Sequence, residues 1–542
     1  MAKKNLAELR LEFKPEIPGA LDDLELLVGY ALEETTCAPE IASLFPKTHS
    51  RPIVHFQKGY PPKHDPIKVG VVFSGGQASG GHNVISGLFD ALQKINPEST
   101  LIGFKNGPQG IIDGKYIALT ASLIDQYRNQ GGFDLLGSGR TKIETEEQLE
   151  SVDRIVRQLD LDGLVIIGGD DSNTNAGILS EFFESKGRKI CVVGVPKTID
   201  GDLRNEYIEL PFGFDTAVKT YSNTIGDIAR DGLSAKKYYF FVKLMGRSAS
   251  HIALECAMQT HPNMTLIGEE IAKNKKTLSQ IVGDISKLII DRANKGLNYG
   301  VILIPEGLIE FIPEFQQLIS ELNKLLANGT ENVQDSLTSS SKALLNAIPK
   351  EIQEQLMMER DSHGNVQVSK IETERLLIKM VEEQLEKSRT KSEYKGQFSA
   401  QPLFFGYEGR CSLPTNFDAE YCYALGHMAT VLVDGRFNGY MATIKDLNKP
   451  VAEWEIAGVP LTAMFTMEMR KGKEVPVIKK CLVDLDGPLF KEFCKKRDAW
   501  ELTDDYVYPG PIQFFGLPEL TNSITFTLQM SLMHHLTTHH EG

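Results

Sequence analysis

The stretch KVGVVFSGGQASGGHNVISGLFDALQKI, residues 68–95, decides the fold. Lys68–Phe73 is an apolar run of strand length, and a glycine-rich loop follows it. From Asn83 to Ile95 the apolar residues then recur at helical spacing. Strand, glycine loop and helix together are the repeating unit of a parallel, doubly wound sheet. The unit recurs. Leu101–Phe104, Gly163–Ile167 and Ile190–Val195 read as further strands, and Thr145–Leu159 as a helix. A second run begins near Gly213: Thr216–Arg230 as helix, Tyr238–Leu244 as strand, His251–Gln259 as helix, then Met264–Ile267 and Gly300–Ile304 as strands. The expectation is an α/β protein of two doubly wound, Rossmann-like domains with a helical insertion and an N-terminal extension.

The expected boundaries follow from changes of texture. Residues 1–65 read as the extension, with a helix at Leu21–Ala31 and a proline-rich approach, Tyr60-Pro61-Pro62-Lys63. Residues 66–212 make the first α/β domain, completed by part of 411–470. Residues 213–310 make the second, completed by 396–410 and part of 471–542. Between them, 311–395 is the helical insertion, polar from Glu314 to about Lys395 and carrying the loop Asp361-Ser362-His363-Gly364-Asn365. Strand-like sequence resumes after it at Leu403–Phe405.

A chain of 542 residues is too long for one compact core. Lys+Arg 58 against Asp+Glu 72 gives a formal charge of -14, which argues against nucleic acid or an anionic membrane as the main partner. Phosphate ligands stay open, since they need only a local cluster of cations. The seven cysteines are scattered without a CxxC pair, so reduced thiols are expected and structural zinc is not. No apolar run approaches the roughly 18 residues of a membrane helix, and no signal-peptide core is seen. A soluble, cytoplasmic protein is expected.

Chemistry-bearing residues collect where strands end, the place where open α/β sheets bind ligands. Ser74-Gly75-Gly76-Gln77-Ala78-Ser79-Gly80-Gly81 lets backbone approach a phosphate at a helix N-terminus, but is neither GxGxxG nor a Walker loop. Gly168-Gly169-Asp170-Asp171 suits a magnesium–phosphate site, with Asp171 or Ser172 as helix cap the plainer alternative. Pro196-Lys197-Thr198-Ile199-Asp200-Gly201-Asp202 offers a lysine, a hydroxyl and two carboxylates. Asp200 there is placed as a general base on a hydroxyl and Lys197 to neutralise donor phosphate charge; a solvated turn is the alternative. Met245-Gly246-Arg247, Ile304-Pro305-Glu306-Gly307 and Tyr407-Glu408-Gly409-Arg410 add arginines for phosphate and a carboxylate for sugar hydroxyls.

In this order, GGQASGGHN, GGDDSNTNA, PKTIDGD, MGR, IPEG and YEGR resemble the phosphofructokinases, specifically their long-chain, pyrophosphate-dependent branch, over about residues 68–410. The resemblance implies that Gly75 and Gly76 meet pyrophosphate, Asp170 holds Mg2+, and Asp200 takes the proton from the 1-hydroxyl of fructose 6-phosphate. Thr198 and Ile199 would line the substrate. Met245, Gly246, Arg247, Glu306 and Tyr407 through Arg410 would hold the sugar phosphate. Lys237 and Tyr238 would reach a neighbouring subunit's site, which implies a homodimer. Relatives that use ATP have glycine at the positions of Asp171 and Lys197. An aspartate there crowds and repels a nucleotide, and a lysine adds charge beside the transferred group, so the donor is expected to be pyrophosphate. Ser79 stands where the family usually shows proline, which implies a more flexible loop. The implied reaction is reversible phosphoryl transfer from pyrophosphate to fructose 6-phosphate, giving fructose 1,6-bisphosphate and phosphate. An ATP-dependent 6-phosphofructokinase and a catalytically silent regulatory subunit are the alternatives. The intact set Asp170, Asp200, Arg247, Glu306 and Arg410 speaks against silence.

Overall fold

The computed structural model describes residues 4–60, 63–327, 330, 332–358, 366–470 and 473–531. Pro61, Pro62 and the loop Asp361–Asn365 lie outside the described residues. In chain order the strands are β1 (Leu27–Glu33), β2 (Ile53–Lys58), β3 (Lys68–Phe73), β4 (Thr100–Phe104), β5 (Tyr116–Ala118), β6 (Gly163–Gly168), β7 (Cys191–Pro196) and β8 (Tyr238–Leu244). They continue as β9 (Met264–Thr265), β10 (Tyr299–Pro305), β11 (Ala400–Phe405), β12 (Tyr440–Lys445), β13 (Glu455–Pro460), β14 (Phe465–Arg470) and β15 (Lys473–Ile478). The chain divides into two compact units, one of residues 1–217, 407–481 and 513–524, the other of 218–406, 482–512 and 525–542.

The first unit carries a nine-stranded sheet in the order β1-β2-β13-β12-β7-β6-β3-β4-β5. Its centre, β12-β7-β6-β3-β4, is parallel, and antiparallel strands flank it on both sides. β6 and β7 are buried along their whole length, as near-continuous apolar runs in a doubly covered parallel sheet should be. Helix Gly81–Ile95, which follows the glycine loop, packs backbone to backbone on helix Asn416–Asp434. A Cβ at Gly87 would stand 2.2 Å from the Tyr423 carbonyl oxygen, so only glycine permits this approach.

The expected helix at Leu21–Ala31 does not form. Two 3-10 turns, Gly19–Leu21 and Leu24–Leu26, lead instead into β1. Leu27–Glu33 pairs antiparallel with Ile53–Lys58, and β2 in turn joins β13, so residues of the extension complete the sheet. A short apolar run fits either period, and the waiting partner strand decides.

The second unit holds a parallel sheet in the order β11-β8-β10-β9. Insertion helices share its core: Leu318, Leu322, Leu376, Leu377 and Val381 pack in one cluster with Ile285, Ile289, Ile302 and Ile304. Buried Lys243 on β8 donates to the Ile371 carbonyl at 3.0 Å and lies 3.2 Å from Glu374 of helix Thr373–Thr390. Among the described residues, no helix is long and apolar enough to cross a membrane.

Candidate active site

In the first unit the loop after β3 is stitched to a second loop. Ser74 forms a parallel bridge with Gly139, the Gly75 N–H donates to the Gly139 carbonyl at 2.9 Å, and Ser138 Oγ donates to the Gly75 carbonyl at 2.6 Å. Gly75 sits at φ +88°, in the left-handed region that glycine alone enters freely. The space where side chains of Gly75 and Gly76 would stand belongs to cations. A Cβ on Gly75 would lie 3.3 Å from Lys197 Nζ. One on Gly76 would lie 2.5 Å from Arg410 Nη2 and 3.7 Å from Arg140 Nη2.

Lys197 extends from the end of β7, its N–H bonded to the Gly168 carbonyl at 2.9 Å, and is 5% exposed. Burial pushes its ammonium down to about 8. Arg410 and Arg140 push the same way, while Asp200 and Asp170 oppose them. Arg410 Nε is buried without a hydrogen-bond partner. Three cations gathered on two bare glycines, one of them with an unpartnered nitrogen, suit an anion rich in oxygens.

Carboxylates face this cluster. Helix Asp170–Ser185 is capped by Gly169, which has no side chain, so neither Asp171 nor Ser172 serves as the cap. Both aspartates occupy the first turn. One oxygen of Asp170, Oδ2, is buried and without a hydrogen-bond partner. Asp171 is 3.2 Å from Lys142. Ser172 Oγ instead donates to Ser74 Oγ at 2.8 Å, tying the helix start to the glycine loop. The turn after β7 is fixed by the Asp200 N–H donating to Thr198 Oγ1 at 3.1 Å. Ile199 is buried, its side chain lying against Gly213. Asp202 is buried too; burial, then neighbouring Asp200, pushes its carboxyl up to about 7, with Lys480 opposing. Lys480 Nζ lies 3.6 Å from Asp202 and 3.9 Å from Asp170.

Tyr407–Cys411 is a short helix of the same unit, with Tyr407 largely exposed and Arg410 aimed at Gly76. Ser79 is fully buried, and its hydroxyl donates to the Ser412 carbonyl at 2.6 Å. The serine at a proline position therefore ties the glycine loop to the Arg410 segment. The added flexibility expected of it is not what this bond provides.

In the second unit, Met245, Gly246 and Arg247 leave the carboxyl end of β8. The Met245 N–H donates to the Phe405 carbonyl at 2.9 Å, and the Gly246 N–H to buried Glu306 at 3.1 Å. A Cβ on Gly307 would meet the Arg247 carbonyl at 1.8 Å, so the two loops are in backbone contact. Lys237 and Tyr238 stand at the other end of β8, seven residues and about 20 Å from Met245. Lys237 places its ammonium 4.7 Å over the Tyr238 ring, and Tyr238 holds φ 75°, an outlier for a bulky residue.

Three cations were missed in the sequence. Arg140 and Lys142 had a readable signal, since Gly137-Ser138-Gly139-Arg140 is a second glycine loop ending in a cation. Lys480 had none: it follows β15, and only tertiary structure brings it to Asp202.

Cations and carboxylates gather around a glycine loop at the carboxyl ends of parallel strands, the place where sheets of the doubly wound class bind their ligands. The family model for phosphofructokinase matches residues 68–433, and the chain belongs to that family. It is 48% identical to the pyrophosphate–fructose 6-phosphate 1-phosphotransferase of Porphyromonas gingivalis, covering 98% of this chain and 99% of the relative. It is 54% identical to subunit beta 1 of the Arabidopsis thaliana pyrophosphate–fructose 6-phosphate 1-phosphotransferase, over 91% of this chain and 88% of the relative. In fold it is similar to the crystal structure of a pyrophosphate-dependent phosphofructokinase from Nitrosospira multiformis. The TM-score there is 0.55 at 16% identity, over 84% of this chain and 97% of that one.

Proposed function

We propose that the protein transfers a phosphoryl group from pyrophosphate to the 1-hydroxyl of fructose 6-phosphate, giving fructose 1,6-bisphosphate and phosphate. The observation that carries this reading is the triad Lys197, Arg140 and Arg410 closed on Gly75 and Gly76. It is a site for a small, highly charged donor, and the relatives that match nearly the whole chain carry that activity in their names. Asp200 is the base. It accepts the proton of the 1-hydroxyl as that oxygen attacks phosphorus, and the bridging P–O bond breaks with its electron pair leaving on phosphate. The protein contributes position and charge and forms no covalent intermediate. Lys197 and Asp171 exclude a nucleotide, Asp171 being held by Lys142. Met245, Gly246, Arg247 and Glu306 serve the acceptor, and Thr198, Ile199 and Tyr407 to Gly409 are assigned to the same substrate.

Asp170 is the residue for Mg2+. Its unpartnered buried oxygen suits a hard cation. A carboxylate of this kind fits magnesium, which keeps most of its shell for phosphate oxygens and water. When bound, the ion would supply charge neutralisation on the donor. Lys237 and Tyr238, remote from their own chain's Met245 and strained at Tyr238, serve the site of a second copy in a homodimer. Free thiols at all seven cysteines agree with a cytoplasmic setting.

The test is a turnover assay with pyrophosphate and with ATP, each with Mg2+, beside a mass measurement in solution. Pyrophosphate should support the faster reaction and Asp200→Ser should abolish it. Faster turnover with ATP, or near wild-type turnover in Asp200→Ser, refutes the reading. Mixed dimers of Asp200→Ser with a Lys237→Ala/Tyr238→Ala chain should regain one working site.

A further inference from the structure

We propose that Lys480 is a donor-binding residue, a further cation of the pyrophosphate site delivered by the segment that follows the β14–β15 hairpin. Its ammonium lies between two carboxylates, 3.6 Å from Asp202 Oδ2 and 3.9 Å from Asp170 Oδ2. Both distances are within ion-pair range but longer than a hydrogen bond. The attraction therefore holds the ammonium at the mouth of the carboxylate pair without committing its donors to either. The oxygen it faces on Asp170 is the buried one that has no hydrogen-bond partner.

The backbone carrying Lys480 is fixed on both of the elements it serves. The Ile478 N–H donates to Thr174 Oγ1 at 3.2 Å, one turn into the helix that Asp170 begins. The Cys481 N–H donates to the Asp202 carbonyl at 2.7 Å. Between these two bonds only Lys479 and Lys480 remain, and Lys479 is exposed. A lysine kept only for solubility has no need of an anchor on each side. The Lys480 side chain is partly exposed, 30%, and so lies within reach of solvent.

Charge balance points the same way. Asp170, Asp171, Asp200 and Asp202 gather four carboxylates where a multiply charged anion must enter. Asp171 is matched by Lys142, and Lys197, Arg140 and Arg410 stand by the glycines. Lys480 is the cation placed on the Asp170–Asp202 side. Without it, Asp202 faces an incoming phosphate with no cation in ion-pair range among the described residues, beyond the magnesium proposed at Asp170. No bond is made or broken by Lys480 itself; its contribution is attraction of the donor and of the charge that develops on the departing phosphate.

This assignment rests on the pyrophosphate reading, and titration calorimetry separates the two. Pyrophosphate with Mg2+ is titrated into the whole protein without acceptor, and fructose 6-phosphate is titrated separately, for wild type, Lys480→Met and Lys480→Arg. Expected for Lys480→Met is pyrophosphate binding at least about tenfold weaker, with fructose 6-phosphate binding within about twofold, since both backbone anchors remain. Lys480→Arg should recover most of the loss. Wild-type protein that binds no pyrophosphate overturns the donor reading and this assignment with it. Wild-type pyrophosphate binding retained within about twofold by Lys480→Met overturns the assignment alone. So does an equal loss of both ligands, or an equal loss in the arginine variant, because either outcome reports packing instead of charge.

Discussion

Gly76→Ala separates two places where Arg410 can act. The resemblance to the family assigns Arg410 to the sugar phosphate, yet its guanidinium stands against Gly76, in the glycine loop proposed for the donor. A methyl group on Gly76 would lie 2.5 Å from Nη2 and 3.3 Å from Cζ. Ordinary contact needs the guanidinium to retreat by about 1 Å. The neighbour is the far end of a flexible side chain, so the fold should accommodate the change, with a melting temperature within about 2 °C of wild type. The chemistry should not. A charge-assisted hydrogen bond between arginine and phosphate is worth about 1.5–3 kcal/mol, which corresponds to roughly a ten- to hundredfold loss of kcat/KM for pyrophosphate. Steady-state kinetics with each substrate varied in turn, beside thermal melting, is the assay. Gly139→Ala supplies the contrast, because its Cβ would stand 2.5 Å from the Asn106 carbonyl oxygen, a backbone atom that cannot swing away. That variant should lose stability first. If Gly76→Ala keeps kcat/KM for pyrophosphate within about twofold, or raises only the KM for fructose 6-phosphate, Arg410 does not serve the donor and the reasoning fails.

Three further outcomes are expected. Lys197 has its ammonium lowered to about 8 by burial, so in the empty enzyme it loses its proton as pH rises through that value. KM for pyrophosphate should then climb, about tenfold per pH unit, above pH 8 and stay flat below it, and Lys197→Arg should remove the break; a flat wild-type profile to pH 9.5 refutes this. Lys243→Met strands buried Glu374 without its cation and should destabilise the second unit by about 3 kcal/mol, most of it recovered in Lys243→Met/Glu374→Leu; chemical denaturation measures both. Ser79→Ala deprives the buried loop of its bond to the Ser412 carbonyl and should cost about 1–2 kcal/mol, with faster amide exchange at residues 75–80 and 407–412; unchanged exchange in both loops refutes the coupling.

What was legible in the sequence follows from the range of the forces involved. β3, β6, β7, β8 and β10 could be read because a buried parallel strand writes its surroundings into every consecutive residue, and glycines mark the turn that ends it. The same local rule drew attention to Asp170, Lys197, Arg247 and Glu306, each directly after its own strand or the glycines that close it, and to Asp200 in the turn four residues beyond β7. Leu27–Glu33 failed under that rule, for its partner Ile53–Lys58 lies across a separate helix and no local pattern announces the pairing. Lys480 lies further out of reach. Its neighbours, Lys479 and Cys481, carry no motif, and its position depends on two backbone hydrogen bonds to residues remote in sequence. The asymmetry has a physical reason. Strand-end residues are aimed by the sheet itself, so the sheet's sequence reports them, whereas a cation on a return segment is aimed only by what it docks against. Residues aimed by the sheet, the aspartates, the lysine at β7 and the glycines, show early in the sequence, while Lys480 is brought beside Asp170 and Asp202 only when the chain is folded. Arg140 stands beside Gly76, and Lys480 lies between Asp170 and Asp202. An anion bound there as proposed would meet residues from six separate stretches of chain. Its affinity should therefore report on the folding of the whole first unit, and not on the glycine loop alone.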